Sequence, residues 1–100
     1  MATLQSSDGG MTGSVLLTHE VGLHARPSVK LTKLAKTFGA RIELATSADG
    51  PWIDAKSIVK VMAAKAPKDT VLYFRAEGAD AAAAVDALVT LVERDFADGP

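Results

Sequence analysis

One hundred residues of 10.4 kDa, 48% hydrophobic and 23% charged, with a formal net charge of −1, suffice for one small domain and are too few for two. The chain has no cysteine, so it carries neither a disulfide framework nor a thiolate metal site, which fits a cytoplasmic setting. No apolar run nears the ~20 residues that cross a bilayer, the first residues lack the order of a secretory signal, and 11 basic against 12 acidic side chains argue against a general nucleic-acid or membrane-surface binder.

Residues 1–13 are rich in Ser, Thr and Gly without apolar periodicity and are expected to form a flexible tail, with Met11 a candidate native start. Residues 14–19 alternate around Val15 and Leu17, which predicts a first strand. Leu31, Leu34, Ala35 and Phe38 recur at helical spacing, with Lys30, Lys33 and Lys36 on the opposite side, and predict a helix that runs to Gly39. Ile42 and Leu44 mark a second strand, residues 47–51 a reversal, and residues 52–54 a short third strand. Ser57 is placed to cap a brief apolar helix through Ile58, Val59, Val61 and Met62, closed before Pro67. Residues 70–76, rich in β-branched and aromatic types, predict a fourth strand that Gly78 ends. Asp80 is expected to cap a last helix whose inner side is Ala81, Ala84, Val85, Leu88, Leu91 and Val92, and residues 97–100 form a C-terminal tail.

The order β-α-β-β-α-β-α, with strands that alternate, predicts an α+β open-faced β-sandwich over residues 14–96: a four-stranded antiparallel sheet covered on one face by three helices. Charge is unevenly spread, since nine basic residues lie between Arg26 and Lys68 and six acids lie at Glu77 or beyond, so part of the surface is expected to be locally positive.

The stretch Gly22-Leu23-His24-Ala25-Arg26-Pro27-Ser28 joins the first strand to the first helix. Proline is tolerated in a first helical turn, where backbone N–H groups lack intrahelical acceptors, so the helix is expected to begin near Ala25 with His24 as its cap. Gly22 permits the sharp turn into it. The free amides of Ala25 and Arg26, the helix dipole and the Arg26 guanidinium would together welcome an anion, including a phosphoryl group bonded to the imidazole. The plainer reading of the same residues is a capping histidine and a solvated arginine.

This stretch closely resembles the active-site signature of the histidine-containing phosphocarrier (HPr) family of the bacterial phosphoenolpyruvate-dependent phosphotransferase system. The resemblance spans roughly residues 14 to 95 and continues through Asp54-Ala55-Lys56-Ser57-Ile58 and Ala76-Glu77-Gly78-Ala79-Asp80. It implies the same sandwich fold and a carrier, not an autonomous enzyme. His24 would take a phosphoryl group at Nδ1 from phosphorylated enzyme I and pass it to an A-type permease or regulatory component. Arg26 and the Ala25 amide would hold the phosphate, with no cofactor and no metal. Ile58, Val59 and Met62 would form an apolar docking patch, framed by Lys33, Lys36, Lys56 and Lys60. Ser57 aligns with a serine that a dedicated kinase, with its phosphatase, modifies in some members; its other role is an N-cap. A monomer is expected, without nucleic-acid partners or membrane insertion.

The alternative is an HPr-like regulatory protein, of the nitrogen-type branch or linked to a dihydroxyacetone kinase, that binds transcriptional or metabolic partners according to its phosphorylation. His19 has too poor a set of neighbours for a metal site, and Trp52, Tyr73 and Phe74 are expected to be packing residues. Three departures from the family pattern stand out: Glu20-Val21 ahead of the motif, a longer hairpin over residues 48–51, and Ala64-Lys65-Ala66-Pro67 where a Leu-Gly pair is common.

Overall fold

Side chains alternate across a strand, so a strand with one apolar edge must bury it against something else. The computed structural model, which describes residues 2–7, 10–20 and 22–97, shows where that burial occurs. Its elements are β1 (Ala2–Ser7), β2 (Gly10–Leu16), α1 (Ala25–Ala35), β3 (Arg41–Ala45), β4 (Ile53–Asp54), α2 (Ile58–Ala63), β5 (Val71–Glu77) and α3 (Ala81–Glu93). The strands form one antiparallel sheet in the order β1-β2-β5-β3-β4. Its β2-β5-β3-β4 portion, with three helices, is the expected open-faced sandwich. On β5, Leu72, Phe74 and Ala76 are buried while Val71, Arg75 and Glu77 are exposed. Val15 of β2 and Ile42 and Leu44 of β3 join the buried set, and α3 packs across β2 and β5 with Ala84, Val85, Leu88 and Val92 inside. Leu31 and Ala35 of α1 and Val61 of α2 complete the core.

The tail expected over residues 1–13 is a correction. Ala2–Ser7 pairs with β2 from Ala2 opposite Val15 to Ser7 opposite Gly10, and β2 itself starts at Gly10 and ends at Leu16, short of His19. The physical reason is backbone pairing: the free edge of β2 offers N–H and C=O groups that a polar segment satisfies as well as an apolar one. At the other end, Phe96 is buried and Ala97 exposed, and the remainder of the expected C-terminal tail lies outside the described residues.

Helix α1 stops at Ala35, a turn before Gly39. The Thr37 and Phe38 amides donate to Leu34 and Ala35, three residues back, which tightens the exit. The next amides need other acceptors, and Asp80 supplies them: its carboxylate accepts from the Gly39 N–H at 2.9 Å and the Ala40 N–H at 2.8 Å. Asp80 occupies the N-cap position of α3, yet its side chain makes no cap hydrogen bond. The expected helix cap is thus a clamp between the α1–β3 corner and the start of α3. Within α3, Val89 is buried and Leu91 only half-buried, so the inner stripe is turned slightly from the one expected.

The Gly39 amide, chiefly, holds the Asp80 carboxyl below its ordinary value of 3.8, with further support from the Ala40 amide and Lys56 against a smaller opposing cost of burial. A carboxyl whose pKa falls on folding stabilises the fold above its unfolded pKa and loses that contribution as pH drops through the folded value. The stability gap between wild type and Asp80→Ala is therefore expected to stay constant near neutrality and to close only in acid, as read by urea unfolding across pH.

The other face of the sheet carries Tyr73, Arg75, Glu43 and Trp52. Arg75 stacks 4.2 Å from the Trp52 ring centroid and its Nε donates to Glu43 at 2.7 Å. Trp52 stands ahead of β4 and Tyr73 points outward, both half-buried, so of the three aromatic residues only Phe74 lies in the core.

Candidate functional site

The loop from His19 to α1 is fixed almost entirely by its backbone. Gly22 has φ +70 and donates to the His19 carbonyl at 2.9 Å, and its own carbonyl accepts from the His24 amide at 2.9 Å. Between them Leu23 is buried, and its amide donates to the Ala66 carbonyl at 2.7 Å, across to the segment that follows α2. Ser28, fully buried, points its Oγ at the Leu23 carbonyl 3.4 Å away, and Pro27 is buried beside it. Glu20, ahead of this loop, is exposed and pairs with Lys68 at 3.7 Å; Val21 lies outside the described residues.

His24 is the N-cap residue of α1, with φ −86 and ψ −171, and its carbonyl accepts the first helical bond from Ser28 at 2.9 Å. Its ring is not used as a cap: it makes no cap hydrogen bond, and the residue is exposed. The amides of Ala25 and Arg26 head the helix, where no intrahelical acceptor exists, and Pro27 contributes none. An exposed imidazole therefore stands beside two backbone donors and the positive end of the helix dipole.

The remaining site residues divide into two groups around Ala25. His24, Ala25, Met62, Lys65, Ala66 and Pro67 line one open depression. Arg26 lines a second with Ala25, Val29, Lys30 and Lys33, and a third with His19, Pro27, Asp95 and Phe96. The structure thus brings His24 together with the end of α2, while Arg26 lines two other depressions along α1 that His24 does not share. His19 lines a depression with Arg26, its ring edge-on to Phe96 with centroids 5.7 Å apart, and its Nδ1 is enclosed with no partner among the described residues. Among the described residues no group of three His, Cys, Asp or Glu side chains is placed to hold a metal.

On α2, Val59 is 74% exposed and Met62 42%, while Ile58 is half-buried and Val61 points inward. Lys60 and Lys33 are exposed, Lys33 in a depression with Arg26 and Lys60 in a cleft with Trp52 and Ile53. Lys56 does not join a charged rim: its ammonium donates to the Phe38 carbonyl at 2.7 Å and ties down the exit of α1. Val29, 42% exposed beside Arg26, and Lys65 were not singled out by sequence reasoning as site residues. The departure of residues 64–67 from the expected Leu-Gly pattern was the signal for Lys65; Val29 had none.

Ser57 caps α2, its Oγ accepting from the Lys60 amide at 3.3 Å. Ser57→Ala is expected to cost about 1 kcal/mol in urea unfolding, and Ser57→Asn to recover most of it.

Against known proteins, residues 11–94 match the family model described as "PTS HPr component phosphorylation site". The chain belongs to the HPr family. It is 37% identical to the phosphocarrier protein HPr of Cupriavidus necator, over 83% of this chain and 91% of that protein. It is 36% identical to the multiphosphoryl transfer protein of Vibrio cholerae over 88% of this chain but 22% of that longer protein, where the HPr-like stretch is one part. Among solved structures, HPr-C-His from Thermoanaerobacter tengcongensis superposes with a TM-score of 0.79 at 30% identity, covering 89% of this chain and 98% of that one. The phosphocarrier protein HPr from Bacillus anthracis gives 0.75 at 30% identity over 83% and 96%. These HPr structures share the β2-β5-β3-β4 sandwich described above. Among the described residues no helix is long and apolar enough to cross a membrane.

Proposed function

We propose that this chain carries phosphoryl groups on His24, taking them from phosphorylated enzyme I and passing them to an A-type component of the phosphotransferase system, as a cytoplasmic monomer. The observation that carries this reading is the exposed His24 ring, not used as a cap, beside the open amides of Ala25 and Arg26. In the transfer, the Nδ1 lone pair of His24 attacks phosphorus while the N–P bond to the donor histidine breaks and its electron pair returns to that nitrogen. Such a loose, in-line transfer needs positioning and charge support more than covalent help. The Ala25 and Arg26 amides supply donors in place, and the Arg26 guanidinium, on a flexible stem beside them, adds charge at the phosphoryl oxygens.

Val59 and Met62 offer an apolar surface on α2, Met62 in the same depression as His24, and methionine adapts to unlike partners. Lys60 and Lys33 add positive charge that favours acidic partner surfaces. Ser57, at the start of the same helix, is the regulatory position: a phosphate there keeps negative charge at a helix N-terminus but sets it beside the docking surface. Incubation with the host's extract and ATP is expected to yield phosphoserine at Ser57; its absence removes the regulatory role.

Enzyme I and labelled phosphoenolpyruvate are expected to place acid-labile, base-stable label on the wild type and none on His24→Ala. Equal label on both proteins refutes the carrier reading.

A further inference from the structure

We infer that Lys65 is a second cation of the phosphoryl site, holding the oxygens of the group carried on His24. The inference rests on the proposed carrier role and adds a residue to it. Helix α2 ends at the cap residue Ala64, and Lys65 follows with φ +49, a left-handed conformation that usually falls to glycine at this place after a helix. Its backbone is pinned on both sides: the Lys65 amide donates to Met62 at 3.2 Å, and the next carbonyl, that of Ala66, receives the Leu23 amide at 2.7 Å. A lysine is thus held, against its conformational preference, next to the loop that presents His24.

Lys65 lines the same open depression as His24, and it is the one cationic residue that does so. The residue is exposed, and its ammonium has no acceptor among the described residues. Lys56 is engaged with the Phe38 carbonyl, Lys30 with the Phe96 carbonyl and Lys68 with Glu20, and the exposed Lys33 and Lys60 line other depressions. Arg26 lines two other depressions, neither of them shared with His24. The lysine that shares a depression with His24 is Lys65. An ammonium is a compact point charge with three donors on a flexible stem, suited to meeting phosphoryl oxygens whose position shifts during transfer.

The test compares wild type, Lys65→Gly and Lys65→Arg. Glycine suits the left-handed backbone, so Lys65→Gly is expected to fold at least as well as wild type by urea unfolding. Each protein is phosphorylated on His24 with phosphoramidate, and the 31P signal of the phosphoryl group is followed across pH. A cation at the oxygens favours the dianion, so loss of Lys65 is expected to move the titration midpoint upward, and Lys65→Arg to return it towards wild type. Transfer from phosphorylated enzyme I is expected to slow about tenfold in Lys65→Gly and to be largely restored in Lys65→Arg. An unchanged midpoint in Lys65→Gly, with or without slower transfer, overturns the inference, as does failure of arginine to restore it. Because the phosphoramidate arm needs no partner protein, wild type that takes no label from enzyme I would count against the carrier role and leave this measurement standing.

Discussion

Gly22→Ala is expected to be the most damaging single-atom change near the site, lowering stability by about 3 kcal/mol, from the left-handed backbone and from crowding together. A Cβ at this position would run into the Ala66 carbonyl oxygen and lie 2.8 Å from the Pro67 Cα, both backbone atoms that cannot swing aside. The Ala66 carbonyl is also the acceptor for Leu23, so relief of the clash costs the bond that seats the loop. Thermal unfolding is expected to fall by on the order of 15 °C, and the amide resonances of Leu23 and His24 to shift most. Gly39→Ala is the control: its Cβ would meet nothing nearer than the Asp80 Oδ2 at 3.9 Å, and little change in melting temperature is expected. Equal melting temperatures for Gly22→Ala and wild type would contradict the close approach described here.

Phe74→Ala is expected to cost about 3–5 kcal/mol, a large share of the roughly 5–15 kcal/mol that holds a domain together. Phe74 heads the fully buried side chains by volume and lies beneath the helices, within the same cluster as Leu31, Leu72 and Leu88. Its neighbour Tyr73 faces the opposite side of the sheet and is half-buried, so Tyr73→Ala is expected to cost less than half as much. Urea unfolding of the two variants side by side measures which face of the sheet is the core. Similar losses for both would mean that the outer face is covered as well.

The helical cores were legible in the sequence because their causes are local. Pro27 and the spacing of Leu31 and Ala35 place α1, and Ser57 does cap α2 as its hydroxyl suggests. What was not legible depends on contacts far along the chain. Asp80 looks like a helix cap in any short window, and only the arrival of Gly39 and Ala40 makes it a clamp. Ala2–Ser7 carries no alternating apolar signal, because its pairing with β2 is a matter of backbone groups. Lys56 resembles a solvated charge until the Phe38 carbonyl is brought to it. The His24 loop is an intermediate case. The sequence signals the start of a helix with His24 as its cap residue, but that Met62 and Lys65 share its depression depends on where α2 ends, which no local pattern encodes.

The Leu23–Ala66 hydrogen bond welds the loop before His24 to the strand of chain leaving α2. The His24 imidazole and the exposed side chain of Met62 consequently share one frame. In the proposed carrier role, a visitor that settled on Met62 would at the same moment fix the height and tilt of the imidazole, with no separate act of alignment. Unlike visitors would then need only one landmark in common, and the tolerance for error in the proposed exchange would be set by the stiffness of a single weld.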